Sequence, residues 1–306
     1  MNRRRSLQLR GCIADLPTPF DADGAPDLAA LRRLCASQTK AGATALIVAE
    51  TAGEAWALTT EERRAVIRAA VEAAGGAALV IAGSGSNDTA EAATLAADAE
   101  QAGADAVLSM VPYYNKPTQR GLVAHLRLVA AATDLPLLLH DCPDRSVVLL
   151  QDDALAELAA LPGVAGLRLS PASLGRLRGL RRRFGERLLL LADGGAQELI
   201  GLIGADATVS AGAAIAPALW QAAAARAADM LRCAPLLEQL DAALAQEPGP
   251  GAVKLALALR GEAAPHVRLP MVPPSADAAA AIAAAVACLA EGEGGARRVL
   301  RPLRTG

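Results

Sequence analysis

Eight short apolar runs, at 12–16, 45–49, 79–82, 106–110, 136–140, 164–168, 188–192 and 207–210, recur along the chain. Longer amphipathic stretches lie between them, among them 27–40, 60–74, 89–102, 121–132 and 152–160. Strands that alternate with helices make parallel βαβ units, and eight such units imply an α/β fold, a (β/α)8 TIM barrel. A doubly wound sheet is the rival. It ranks lower because no G-x-G-x-x-G follows the first run, and Gly83-Ser84-Gly85 after the third lacks the third glycine. Thr60 with Glu61 and Glu62, and Asp88 or Thr89 ahead of Glu91, read as helix starts. Gly42 and Gly103 each close a helix just before a strand.

The pattern changes after Pro217. Residues 218–246, 252–259 and 276–291 read as helices, with a Pro/Gly linker at 246–251. The expected organisation is a basic N-terminal arm (1–10), the barrel (11–217), a C-terminal helical extension (218–295) and a basic tail (296–306) carrying Arg297, Arg298, Arg301 and Arg304. Arg3, Arg4 and Arg5 faintly resemble a twin-arginine export signal, but Arg10 and Asp15 interrupt any apolar region after them. The longest uncharged run, 207–225, is rich in Ala and Gly and holds Pro217, a poor membrane span. With 30 Lys+Arg against 32 Asp+Glu and 2% aromatic residues, there is no basic or base-stacking surface for nucleic acid. Five scattered cysteines without a CxxC pair fit neither a disulfide framework nor a zinc site. The expectation is a soluble cytoplasmic protein without nucleic-acid or membrane partners.

In a barrel the chemistry sits at the C-terminal ends of the strands. In chain order these are Pro17-Thr18-Pro19-Phe20, Glu50-Thr51-Ala52-Gly53-Glu54, Gly83-Ser84-Gly85-Ser86-Asn87, Pro112-Tyr113-Tyr114-Asn115-Lys116-Pro117, His140-Asp141-Cys142-Pro143-Asp144-Arg145, Arg168, Asp193-Gly194-Gly195 and Ser210-Ala211-Gly212.

This succession resembles the dihydrodipicolinate synthase and N-acetylneuraminate lyase family over roughly residues 9 to 290. Its most specific element is 112–117 with Gln119 and Gly121. The resemblance implies a pyruvate-dependent carbon–carbon lyase or synthase, a dimer of tight dimers, and a 2-oxo acid held as a Schiff base on a lysine at the end of strand six. Here Arg168 occupies that position. A guanidinium keeps its charge and forms no such imine. The chain has three lysines, Lys40, Lys116 and Lys254, and none falls where that chemistry needs it.

Other departures accompany this one. His140 and Asp141 stand where the family has a proton-shuttling tyrosine and an asparagine. Thr51-Ala52 replaces a pair of threonines, and Glu50 replaces the preceding glycine. Tyr114 is kept, and the resemblance implies that it reaches across a dimer interface to complete a neighbour's proton relay. Arg145 is kept where the family meets a substrate carboxylate.

Arg168 has two readings: an anion receptor, or a group paired with Asp141, Asp193 or Glu50. His140 is either a general base or a space-filling residue bonded to Thr51, and beside Arg168 it is expected to be neutral. Metal-assisted enolisation could draw on His140, Asp141, Asp193 and Glu50, but no HxH or HxxxH spacing supports it. The expectation is therefore no cofactor and no metal. The expected ligand is a small carboxylate, a 2-oxo or hydroxy acid, held by Thr51, Ala52, Arg145, Arg168 and Ser210. Tyr114 and His140 are the candidate catalytic groups. An active lyase of altered mechanism and a non-catalytic interaction protein are the alternatives.

Overall fold

The computed structural model describes residues 7–194, 204–225 and 227–299. Arg3, Arg4 and Arg5 of the expected arm, and Arg301 and Arg304 of the expected tail, lie outside the described residues. Eight parallel strands close into a barrel in chain order: β1 (Cys12–Asp15), β2 (Ala45–Val48), β3 (Leu79–Gly83), β4 (Ala106–Met110), β5 (Leu137–Asp141), β6 (Val164–Leu169), β7 (Leu189–Asp193) and β8 (Ala207–Ser210). Helices α1 (Leu28–Lys40), α2 (Thr60–Ala74), α3 (Thr89–Gln101) and α4 (Gln119–Ala131) follow the first four strands. Further helices at Asp152–Ala159 and Leu177–Phe184 follow the fifth and sixth. The C-terminal helices are Pro217–Ala225, Ala227–Leu244, Pro250–Leu259 and Ala276–Val299.

Local chemistry accounts for the helix ends. Thr59, one residue earlier than expected, caps α2: its hydroxyl accepts from the Glu62 amide, and Glu62 returns the bond to the Thr59 amide. Asp88 accepts from the Glu91 amide to start α3. Gly42 and Gly103 follow α1 and α3 at φ 91°, a left-handed conformation that glycine adopts without steric cost. Among the described residues no helix is long and apolar enough to cross a membrane.

Two apolar layers result. One lies between the strands and the helices and includes Leu46, Val48, Val107, Leu139, Leu167 and Leu169. The other fills the barrel and includes Ile13, Ile47, Ile81, Leu108, Leu138, Leu191 and Val209. Leu7 and Leu9 join this inner layer, so the end of the arm packs against the barrel interior. Alternate residues of a strand face the same side. Two residues beyond Ile13, Leu138 and Leu191, the inward rows therefore carry Asp15, His140 and Asp193. This change from hydrocarbon to charge at one level of the barrel positions the site.

The candidate active site

Arg168 stands on β6 opposite His140 of β5 and Leu191 of β7. Its guanidinium is buried and meets three carboxylates. Nε donates to Asp193 Oδ1 (2.7 Å), Nη1 to Glu50 Oε2 (3.1 Å) and Nη2 to Asp15 Oδ2 (2.9 Å). Glu50 lies just beyond β2, where strand alternation would send it outward. Ala49 adopts φ 51° and turns the chain over the barrel mouth. Gly83 makes room for that turn, since a Cβ there would stand 2.1 Å from the Ala49 carbonyl oxygen. Glu50 Oε1 then meets His140 Nδ1 at 2.9 Å, and His140 Nε2 faces Asp193 Oδ2 at 3.7 Å. Five ionisable groups, four on strands and Glu50 in the loop after β2, thus share the centre of the barrel.

Their charges explain their protonation. Burial and the Arg168 cation disfavour a charged His140, but Glu50, Asp193 and the Cys142 thiol outweigh both and hold its pKa well above the usual value. The expectation of a neutral imidazole beside Arg168 is therefore corrected: it left out the two carboxylates. Burial would raise Glu50, yet His140 and Arg168 hold it below the ordinary carboxylate range. Asp193 is likewise held down against burial by Arg168 and His140. Two cations are then balanced by two carboxylates, and Asp15 is the third. Desolvation, with Glu50 and Asp193 nearby, lifts it to about 7 against the pull of Arg168.

A pH dependence follows. In the unfolded chain Asp15 ionises near 3.8, and in the folded chain at about 7. Between those values the folded state holds the extra proton. The stability Asp15 contributes is complete below the unfolded value, falls as pH rises, and is lost above the folded one. Asp15→Asn removes this dependence. Its melting temperature is expected to gain on the parent between about pH 4 and about pH 8. Scanning calorimetry across that range checks it, and a constant gap would mean that Asp15 ionises normally.

Other residues of the expected set fall elsewhere. Asp141 faces away from the barrel axis, accepts from Arg176 Nη1 (2.7 Å), Ser173 and the Leu150 amide, and is no partner of Arg168. Ser210 is corrected too. Its neighbour Val209 faces inward, so Ser210 faces out and accepts from the Gly212 amide (3.0 Å). The Thr51 hydroxyl is buried without a hydrogen-bond partner and does not bond His140. Ala52 is buried and offers no polar side chain. Tyr114, at φ 71° and 87% exposed, stands on the outer surface, away from His140.

Beside the charge cluster is a cavity of about 250 Å³, lined by Glu50, Thr51, Trp56, Arg63, Met110, Tyr113 and Arg145 among others. The exposed Arg145 is at its mouth. Buried Arg63 donates to the carbonyls of Ala55 (2.7 Å) and Gly83 (3.3 Å). Sequence reasoning missed Asp15, Arg63 and Met110 here. For Asp15 a signal existed: it is the single charge inside an otherwise apolar run.

The three lysines lie outside this centre. Lys40 and Lys116 are exposed. Lys254 is a buried residue of the C-terminal helix Pro250–Leu259, where it pairs with Glu54, donates to the His266 carbonyl (2.8 Å) and sits 3.9 Å from the Phe20 ring centre. Burial lowers its pKa to about 8, and Glu54 opposes the shift. Among the described residues no three His, Cys, Asp or Glu side chains are grouped to hold a metal ion.

A model of the dihydrodipicolinate synthetase family matches residues 8–288. The 4-hydroxy-tetrahydrodipicolinate synthase of Thiobacillus denitrificans is 40% identical over 270 residues, covering 86% of this chain and 91% of that protein. The enzyme of the same name from Rhodospirillum centenum is 40% identical over 272 residues, covering 87% and 93%. Among solved structures, dihydrodipicolinate synthase from Aquifex aeolicus superposes with a TM-score of 0.88 at 31% identity, covering 92% of this chain and 98% of that one. The 4-hydroxy-tetrahydrodipicolinate synthase of Methylacidiphilum fumariolicum gives 0.89 at 28% identity, covering 95% and 99%.

Proposed function

The chain belongs to the dihydrodipicolinate synthetase family, a lyase family with the pyruvate-dependent aldolase fold, and from that premise we propose a member that works without a Schiff base and holds a small carboxylate in the barrel mouth. The observation that carries this reading is the saturation of Arg168 by Asp15, Glu50 and Asp193, with all three lysines elsewhere. The guanidinium is spent on internal partners, so it serves as the floor of the site. The anion-binding role expected of it passes to Arg145.

The ligand is a 2-oxo or hydroxy acid. Its carboxylate pairs with Arg145 at the mouth, and its oxo or hydroxyl oxygen meets the unpartnered Thr51 hydroxyl in the cavity wall. Tyr114 belongs to an interface with a second copy of the chain, a role that its 87% exposure supports.

Pyruvate and lactate are expected to raise the melting temperature in a concentration-dependent way. A ligand at a hundred times its Kd adds about 2.7 kcal/mol of stability. Arg145→Ala is expected to abolish the rise while leaving the unliganded melting temperature within about 2 °C of the parent, as an exposed substitution should. No shift with any small oxo or hydroxy acid, under conditions where a lysine-bearing family member responds, overturns the reading.

A further inference from the structure

Three arginine or lysine side chains are buried among the described residues: Arg63, Arg168 and Lys254. Arg168 binds three carboxylates, and Lys254 pairs with Glu54. Arg63 bonds no carboxylate among the described residues. It stands in the first turn of α2, where Nη2 donates to the Ala55 carbonyl (2.7 Å) and Nη1 to the Gly83 carbonyl (3.3 Å). Those bonds tie the loop after β2 to the end of β3, but a carbonyl brings no net charge. Glu91 and Glu50 act on Arg63 electrostatically without bonding it. Both are engaged elsewhere, Glu50 with Arg168 and His140, and Glu91 with the Ser86 hydroxyl. Burial lowers the pKa of Arg63 from its ordinary value, and Glu91, Tyr113 and Glu50 oppose only part of that fall. A buried cation without a bonded counterion is costly, and a second anion at hydrogen-bond distance offsets the cost.

The place for that anion is the cavity. Arg63 lines it, as does Arg145 at the mouth. A guanidinium has five N–H donors, and two bonds to carbonyls leave three for a ligand. Trp56 and Met110 add an apolar wall, and the Thr51 hydroxyl is buried there without a partner. At about 250 Å³ the space falls below the range of about 300–1,000 Å³ common for drug-sized ligands, so its ligand is small. Two guanidinium groups on one small cavity, with hydrocarbon beside them, match two anionic groups joined by a short alkyl chain.

We propose that the ligand is a short 2-oxo or 2-hydroxy dicarboxylic acid, with one carboxylate on Arg145 and the second on Arg63. Its alkyl chain lies along Trp56 and Met110. Arg63 is then the residue that separates dicarboxylic from monocarboxylic acids, through a charge-assisted bond that a monocarboxylate cannot make. The inference rests on the proposed oxo or hydroxy acid ligand for the head of the molecule and adds the far end.

Isothermal titration calorimetry of the full-length protein tests it. 2-Oxoglutarate is expected to bind at least about tenfold tighter than pyruvate, and malate at least about tenfold tighter than lactate. The terminal methyl ester of 2-oxoglutarate keeps the oxo-acid head but loses the distal charge, and is expected to lose the gain. Arg63→Gln is expected to bring the dicarboxylate-to-monocarboxylate ratio down to about twofold or less. The ester comparison needs no variant and stands if Arg63→Gln fails to fold. Pyruvate binding with no gain for 2-oxoglutarate overturns the distal site and leaves the oxo-acid reading standing. An ester that binds as tightly as 2-oxoglutarate, or a gain that survives Arg63→Gln, overturns the assignment to Arg63. No binding by any of the four acids overturns both readings.

Discussion

Arg168→Ala is expected to destabilise the fold by about 3–5 kcal/mol, the cost of removing one partner from a buried ionic group. The guanidinium supplies the bonds that neutralise Asp193, Glu50 and Asp15 at 2.7, 3.1 and 2.9 Å. Without it, His140 is the one cation left among three carboxylates, and the void lies above a hydrocarbon layer that offers no donor. The carboxylates must then take up protons to remain buried. The loss should therefore shrink as pH falls toward about 4, the ordinary carboxylate range. Urea unfolding followed by circular dichroism at two pH values measures both effects. A loss under about 1 kcal/mol at neutral pH would mean that water reaches the cluster and solvates its charges.

The second large effect concerns imine formation. Incubation with pyruvate and borohydride is expected to leave the parent protein without a reduced pyruvate adduct, because no lysine reaches the barrel centre. Arg168→Lys alone should gain little. Its ammonium would be held protonated by Asp15, Glu50 and Asp193, and only the neutral amine attacks a carbonyl. Arg168→Lys combined with Asp15→Ala, Glu50→Gly and Asp193→Gly removes that grip and is expected to form the adduct. Intact mass and peptide mapping read the result, with a lysine-bearing family member as positive control. An adduct on Lys116 or Lys254 of the parent would overturn the proposed loss of Schiff-base chemistry. An unreactive quadruple variant that still melts cooperatively would mean that the surrounding pocket is no longer arranged for pyruvate.

The barrel was legible because its signals are local and repeated. Apolar runs, capping residues such as Asp88 and glycines such as Gly103 each report one short segment, and their alternation reports the topology. The candidate site was legible only in part. Strand ends could be aligned by motif, which placed Arg168, His140, Glu50 and Arg145 at the barrel mouth. Which face each side chain takes was harder to read. Ser210 was expected inside and faces out, because β8 holds Val209 inward. Asp141 was drawn as a partner of Arg168 and pairs with Arg176, one residue out of phase with His140. Glu50 escapes alternation through a left-handed Ala49 that no propensity would suggest.

The order of residues by itself determined the class of fold, the family, the absence of a lysine from β6 and the identity of the cation that stands there. Those are properties of composition and local pattern. The tertiary structure decided what that cation does. Asp15, His140, Arg168 and Asp193 lie on four different strands and Glu50 in the loop after a fifth, up to 178 positions apart in the chain. Only closure of the barrel brings them within bonding distance and excludes the water that would otherwise screen them. Burial makes each charge depend on its neighbours, so an arginine that could have received a substrate is instead bound by three carboxylates of its own chain.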